Sequence, residues 1–135
     1  MAEEWKFGAL NVRFEEPDTL FSFGVGETDG ESMRAFNKHC EALAARHGKL
    51  YLITDMTRST GMTPEARKLS TEYSSGNPFN GMVFFGASFT MRTIVNMMVR
   101  AGQLLGRNDG AMQFVQNEAE ARAWIADLRA KAKSS

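Results

Sequence analysis

The chain has 135 residues, 43% of them hydrophobic, and a chain of this length forms one domain that buries about two-thirds of its unfolded surface. Sixteen basic residues balance sixteen acidic ones without any lysine- and arginine-rich block, so the composition argues against a nucleic-acid partner. No apolar run approaches the roughly eighteen residues of a membrane span, and we therefore expect a soluble protein without stable membrane insertion.

The first part of the chain predicts an N-terminal hairpin followed by a helix. Two strands, at 7–14 and 19–25, flank the proline-containing turn 15–18. Apolar residues then recur at helical spacing over 32–46, and Gly48 follows at the position of a helix C-cap. We expect this helix to pack on the sheet.

A buried strand and a helix entrance come next. The continuous apolar run 50–53 predicts a buried strand, and Asp55 lies where this strand should end. Thr63 and Pro64 form the pattern of a helix N-cap followed by proline at the first helical position. The helix is expected to extend to about Tyr73.

Two further pairs of a strand and a helix complete the chain. A strand at 82–85 precedes a helix at 89–105, for which Ser88 is a candidate N-cap. A strand at 112–115 precedes a helix that begins near Asn117. This order predicts a single α/β domain with a mostly parallel sheet of about five strands, an antiparallel N-terminal edge hairpin and four helices.

Cysteine content and the N-terminus bear on the cellular compartment. Cys40 is the only cysteine of the sequence, which excludes an intramolecular disulfide bond and a cysteine-rich zinc site. The N-terminal residues are acidic and lack the apolar core of a signal peptide. We therefore expect a protein of the reducing cytoplasm.

The segment after the strand at 50–53 is the candidate functional site, because ligands and partners of open α/β sheets bind beyond the carboxyl ends of the strands. A phosphate on one of its hydroxyls would lie near a helix start, where N–H groups favour negative charge and an arginine can pair with it. In the alternative interpretation, Thr63 only caps the helix and the hydroxyls before it form an exposed turn. The predicted regulatory or partner-binding loop consists of Asp55, Thr57, Arg58, Ser59, Thr60, Thr63 and Arg67, with Ser59, Thr60 and Thr63 as candidate phosphorylation sites.

Two short motifs in this segment resemble those of STAS domains, the family of sulfate-transporter and anti-sigma-factor-antagonist domains, and especially its stand-alone SpoIIAA-like members. Leu-Ile-Thr-Asp-Met-Thr at 52–57 resembles the family's strand-ending Asp-Leu-Ser, and Ser-Thr-Gly-Met at 59–62 resembles its Ser-Ser-Gly-Leu or Ser-Thr-Gly-Leu turn. The resemblance covers about residues 7–128 and implies a SpoIIAA-like fold, phosphorylation of a turn hydroxyl, and a kinase or anti-sigma factor as partner. The chain departs from the family pattern in its very short spacer and in Arg58, which replaces the usual aspartate.

The sequence contains no complete catalytic or metal-binding pattern. Asp55 has the position of a general base or metal ligand, but no second carboxylate or histidine stands at ligand spacing, so a structural hydrogen-bonding role is favoured. His39 and His47 are eight residues apart on one helix, too far for two ligands on adjacent turns. We expect a protein that is not an enzyme, with no catalytic residue, no metal and no cofactor.

The glycine-rich segment 24–30 superficially resembles a dinucleotide-binding pattern. Glu27, Asp29 and Glu31 would place negative charge where a pyrophosphate must bind, and the preceding strand belongs to a hairpin. We interpret the glycines as turn residues.

The predicted helix 89–105 has more apolar surface than one sheet face requires, and four of the nine methionines lie in 82–98. Core packing is the main interpretation. The alternatives are a homodimer face, contact with a membrane surface, and a carrier or sensor function in which an apolar, lipid-like ligand lies between this helix and the sheet. The candidate residues for such a ligand site or dimer face are Met91, Ile94, Val95 and Met98.

Overall fold

The computed structural model describes residues 3–70, 77–104 and 111–134, which form eight strands and four helices. The strands are β1 (Glu3–Phe7), β2 (Leu10–Glu15), β3 (Thr19–Gly24), β4 (Gly26–Thr28), β5 (Leu50–Asp55), β6 (Ser59–Met62), β7 (Phe79–Phe85) and β8 (Ala111–Val115). The helices are α1 (Gly30–His47), α2 (Pro64–Leu69), α3 (Phe89–Leu104) and α4 (Glu118–Ser134). The predicted α/β class with four helices is confirmed.

Six strands form one sheet in the order β1-β2-β3-β5-β7-β8. The pairs β1–β2 and β2–β3 are antiparallel, whereas β3, β5, β7 and β8 pair in parallel. The predicted sheet is confirmed with one strand more than expected, because β1 precedes the predicted strand 7–14, most of which is β2, and a turn at Gly8 with φ at 59° separates the two strands. β1 was not predicted, although its charged residues alternate with Trp5 and Phe7 in the pattern typical of a strand.

A second sheet consists of β4 and β6, which pair in parallel. The sequence pattern had predicted turns at both segments, and this prediction is wrong. Each of these strands is short, at three and four residues, and each contains a glycine, so neither carries the alternating pattern by which a strand is recognised. Their pairing brings the glycine-rich segment beside the hydroxyl-rich one.

Helices cover both faces of the large sheet. On one face, α1 and α3 pack on a core that includes Leu20, Leu50 and Met91, each at most 1% exposed. On the other face, Ala121 and Ile125 of α4 pack on a second core. All of Leu50–Ile53 is buried, which confirms the predicted buried strand and explains its continuous apolar run.

Ion pairs attach α4 to the end of β2 and to the turn between β2 and β3. Arg122 lies 2.8 Å from Glu15, and Arg129 lies 2.6 Å from Asp18. The Arg122 guanidinium, which donates hydrogen bonds to Glu15, lowers the pKa of that carboxyl group below its usual value. None of the described helices is both long and apolar enough to cross a membrane.

The predicted helix caps are present. The hydroxyl oxygens of Thr63 and Ser88 accept hydrogen bonds from backbone N–H groups at 3.1 and 3.2 Å, and Asn117 caps α4 in the same way at 2.9 Å. Gly48 ends α1 with φ at 86°. Helix α2 ends at Leu69, and the positions predicted for its continuation from 71 onwards lie outside the described residues, as does the predicted end of α3 at 105.

His39 of α1 lies against aromatic side chains of β1. Its ring centroid is 4.0 Å from that of Trp5 and 5.3 Å from that of Phe7. Its Nε2 atom is buried and has no hydrogen-bond partner among the described residues. Burial lowers the pKa of this imidazole below its ordinary value.

This histidine should make stability depend on pH. The unfolded chain takes up a proton on His39 at about pH 6.5, whereas the folded chain does so only at lower pH, so the free energy of unfolding should fall as pH decreases below about 6.5. The loss should stay under about 1 kcal/mol because the ring is partly exposed. His39→Phe keeps the aromatic contact and should remove this loss. Thermal unfolding at a series of pH values measures the effect.

His47→Phe is the matched control, since His47 stacks on Phe14 with a centroid distance of 4.7 Å and is exposed at the end of α1. We expect this variant to retain the pH dependence of the wild type. A His39→Phe protein whose stability falls with acidity as steeply as that of the wild type would contradict the assignment.

Candidate functional site

The loop that follows β5 emerges where the parallel strands end. Phe23, Asp55 and Phe85 are register partners on β3, β5 and β7, so their carboxyl ends share one edge of the sheet. Oδ1 of Asp55 accepts two hydrogen bonds from Thr57, from its backbone N–H at 2.9 Å and from its hydroxyl at 2.7 Å. Asp55 therefore holds a tight turn. Among the described residues, no three His, Cys, Asp or Glu side chains are placed to share a metal ion.

This turn packs closely on the end of β7. The backbone N–H of Met56 donates to the carbonyl oxygen of Phe85 at 2.9 Å. Gly86 has φ at 72°, and a Cβ atom at this position would overlap Cγ2 of Thr57. A glycine is required there both by the backbone conformation and by the approach of Thr57.

Arg58 continues the loop across the end of β3. Its guanidinium carbon lies 4.6 Å from the ring centroid of Phe23, within the range of a cation–π contact. Its carbonyl oxygen accepts a hydrogen bond from the N–H of Gly26 at 3.0 Å. The backbone of Arg58 is thus fixed by β4 while its side chain remains exposed.

The predicted hydroxyl residues have different environments. Ser59 is half-buried, and its Oγ lies 3.5 Å from the carbonyl oxygen of Gly24. The Thr63 hydroxyl is engaged as the N-cap of α2. Thr57 and Thr60 are exposed, and the Thr57 hydroxyl already donates to Asp55, so Thr60 presents the hydroxyl that is open to solvent.

The predicted placement of a phosphate at a helix start requires correction. Ser59 and Thr60 belong to β6, and since a strand advances about 3.3 Å per residue, Thr60 lies about 10 Å along the chain from Thr63. Helix α2 has only six residues. Arg67 donates from Nε to the carbonyl oxygen of Met62 at 3.2 Å. Of the candidate hydroxyls, Thr63 alone lies at the start of α2, and it is already the cap.

The glycine-rich segment forms backbone structure. Gly26 begins β4 with φ at 81°. Oδ1 of Asp29 accepts a hydrogen bond from the N–H of Ser32 at 2.9 Å and caps α1, and this bond lowers the pKa of the Asp29 carboxyl group. The start of α1 is therefore occupied by the chain's own carboxylate, which leaves no place there for the pyrophosphate of a dinucleotide.

A cavity of about 120 Å³ lies beneath α3, between this helix, α1 and the sheet. Met91, Val95 and Met98, three of the four candidate residues on α3, line it, while Ile94 is buried but does not line it. Met91, Ile94 and Val95 are each at most 8% exposed, so they cannot form an outward-facing dimer face in this structure. The exposed large apolar side chains of α3 are Phe89, Met97 and Leu104.

The polar side chains in the lining of this cavity were not predicted, and they include Thr28, Asn37, Ser59 and Asn77. Ser22 of β3 and Thr54 of β5 line it, and their hydroxyl oxygens are 3.1 Å apart. The sequence contains one faint signal, a serine within the otherwise apolar run Leu-Phe-Ser-Phe of β3. That signal does not reveal the partner, because Thr54 is 32 positions away.

Comparisons with known proteins agree with this architecture. A family model described as SpoIIAA-like matches residues 22–126. The anti-sigma factor antagonist SpoIIAA in its unphosphorylated form is similar in structure, with a TM-score of 0.59 and 15% identity over 87% of this chain and 98% of that one. A DUF3478-family protein with a SpoIIAA-like fold from Shewanella loihica PV-4 has a TM-score of 0.57 and 16% identity over 92% and 94% of the two chains. No curated protein matches the sequence.

The family match covers more than half of the chain, and it includes β5, the loop after it and α3. The two structural neighbours show the same fold over nearly their whole lengths. The chain therefore belongs to the SpoIIAA-like family.

Proposed function

We propose that the protein is a non-enzymatic regulatory module that binds a protein partner through the loop after β5 and acts in the cytoplasm. The observation that carries the proposal is the loop itself, in which Asp55 holds the turn through two hydrogen bonds while Thr57, Arg58 and Thr60 stay exposed. A rigid, exposed loop costs little conformational entropy when a partner binds. The fold it shares with an anti-sigma factor antagonist supports a role of this kind.

The proposal includes phosphorylation of Thr60 by a partner kinase. Thr60 is exposed, whereas Ser59 is turned inward and Thr63 caps α2. A phosphate adds a charge of about −1.5 to −2 two positions from Arg58. The modified and unmodified loops would thus present surfaces of different charge to the partner.

Phosphosite mapping of the protein isolated from its own cells tests the modification. We expect one phosphate, located on Thr60, in part of the protein population. Complete sequence coverage of 57–63 without phosphate, in cells harvested under growing and starved conditions, would contradict it.

Binding variants test the partner surface. A partner captured by crosslinking in these cells is purified, and its affinity is measured by titration. Arg58→Ala and Thr60→Glu should each weaken binding about 10-fold or more, because they change the charge of the contact surface. Thr93→Glu, at an exposed position of α3, is the matched control and should bind like the wild type. If the two loop variants bind the partner as tightly as the wild type and the control variant do, the proposed interface is wrong.

The cavity beneath α3 favours a second candidate function, the binding of an apolar small molecule as a carrier or sensor. Native mass spectrometry of the protein isolated from its own cells, followed by gentle activation, tests this function. We expect release of a small molecule from the folded chain. The same spectrum gives the stoichiometry and so tests for a homodimer. A bare chain under all isolation conditions would count against a carrier.

A further inference from the structure

We infer that the cavity beneath α3 binds a small uncharged molecule with an apolar body, close to benzene in size, that carries one hydrogen-bond acceptor such as a carbonyl oxygen. This inference rests on the second candidate function, small-molecule binding, and specifies its ligand. It differs from the lipid-like ligand expected from the sequence.

The size of the ligand follows from the volume of the cavity, about 120 Å³. An apolar cavity of about 150 Å³ holds benzene. The ligand therefore has about six to nine non-hydrogen atoms, since the flexible methionine side chains that line the cavity can yield to a ring slightly larger than benzene. Only one end of a long acyl chain would fit this space.

The charge of the ligand follows from the lining. None of the described residues around the cavity is charged. A carboxylate, phosphate or ammonium group placed there would lose its hydration without gaining an ion pair, which is strongly unfavourable. The lining therefore disfavours a charged group inside the cavity and selects a neutral one.

Methionine side chains form much of the apolar lining of the cavity. Six of the nine methionines of the chain line the cavity, namely Met33, Met56, Met62, Met82, Met91 and Met98. They come from α1, the loop after β5, β6, β7 and α3. Thioether side chains adapt to a bound shape and make favourable contacts with aromatic rings, so a ring-shaped ligand is favoured.

The hydroxyl groups of Ser22 and Thr54 indicate that the ligand carries a hydrogen-bond acceptor. Two hydroxyl groups hold two protons, and the 3.1 Å bond between them uses one. The described residues show no second hydrogen bond for either hydroxyl, although Ser22 is only 3% exposed. Either hydroxyl can be the donor in that bond, so the second proton lies on Ser22 or on Thr54, and both residues line the cavity. The hydroxyl with the second proton can therefore donate a hydrogen bond to an acceptor atom of a ligand in the cavity.

Acetophenone is the probe, because it has an aromatic ring and one carbonyl oxygen. Ethylbenzene has the same shape without the acceptor, and benzoate carries a charge. The readout is the ¹³C methyl spectrum of methionine-labelled protein. Met97, on the outer side of α3 and 61% exposed, is an internal control for non-specific contact. We expect saturable shifts of the cavity methionines with acetophenone and with ethylbenzene, none with benzoate, and no shift of Met97.

The double variant Ser22→Ala/Thr54→Val tests the hydrogen bond. It removes both hydroxyls together, so neither is left without a partner and the fold should be retained. Acetophenone should bind about 5- to 10-fold more weakly to this variant, while the affinity for ethylbenzene should be unchanged. If the double variant does not fold, Ser22→Ala alone is measured in the same way.

Three results would overturn the inference. Equal losses of affinity for acetophenone and ethylbenzene would remove the acceptor requirement, while small-molecule binding itself would stand. Benzoate binding as tight as that of acetophenone would show that charge is tolerated. The absence of saturable shifts with either neutral probe would reject this ligand class, and native mass spectrometry would still show whether a different molecule is carried.

Discussion

Phe79→Ala is expected to lower the free energy of unfolding by about 3–5 kcal/mol. Phe79 begins β7, is only 1% exposed and is the bulkiest of the fully buried side chains. Truncation removes the transfer free energy of the ring and leaves a void that a close-packed core refills only in part. Since small domains have a total stability of about 5–15 kcal/mol, this single change should remove a large part of it.

Chemical denaturation of the variant and of the wild type measures the loss. Phe89→Ala is the matched control, because Phe89 is 85% exposed on α3 and its truncation should change stability by no more than about 0.5 kcal/mol. If both alanine variants lose similar stability, the position of Phe79 in the core is incorrect.

Gly86→Ala is expected to destabilise the protein by about 1–3 kcal/mol and to displace the turn at Asp55. At φ of 72° an alanine is strained, and its Cβ atom would overlap Cγ2 of Thr57. The turn that Asp55 holds must then move away from β7. We therefore expect both lower stability and weaker binding of a partner at this loop.

Thr57→Ser separates the two causes of this loss. Serine keeps the hydroxyl that donates to Asp55 and lacks the Cγ2 atom. In the Gly86→Ala/Thr57→Ser variant, the steric part of the loss should disappear and the backbone strain should remain. A double-mutant cycle from denaturation measurements gives the coupling between the two sites.

Gly30→Ala is the control for a crowded glycine at an ordinary backbone angle. A Cβ atom there would meet Glu65, whose exposed, flexible side chain can turn aside, and Gly30 has no positive φ. We expect a change within about 0.5 kcal/mol. A loss as large as that of Gly86→Ala would show that crowding is not relieved by side-chain movement.

The predictions that succeeded concern interactions between residues close in sequence. A cap such as Thr63 or Asn117 bonds to an N–H group three positions later, so the pattern is complete within one turn. The buried run of β5 is equally local, since a strand covered on both faces is apolar at successive positions. These elements establish the fold class and the number of helices. They also place the loop after β5 at the carboxyl edge of the sheet.

The predictions that failed or were missing concern pairs distant in sequence. The parallel pairing of β4 with β6 turns a predicted hydroxyl-rich turn into a strand and directs Ser59 inward. The contact of Gly86 with Thr57 joins the ends of two strands. No local pattern encodes such a pairing, because each partner alone resembles an ordinary turn.

The sequence by itself determined the four helices, five of the six strands of the large sheet and the position of the loop after β5, because capping and periodicity act over a few residues. Only the tertiary structure decided which hydroxyls of that loop remain exposed and which residues surround the cavity. Ser22 and Thr54 meet across 32 positions, and the cavity methionines come from five different parts of the chain. Such sites arise from the packing of the sheet against its helices, which is a property of the whole fold.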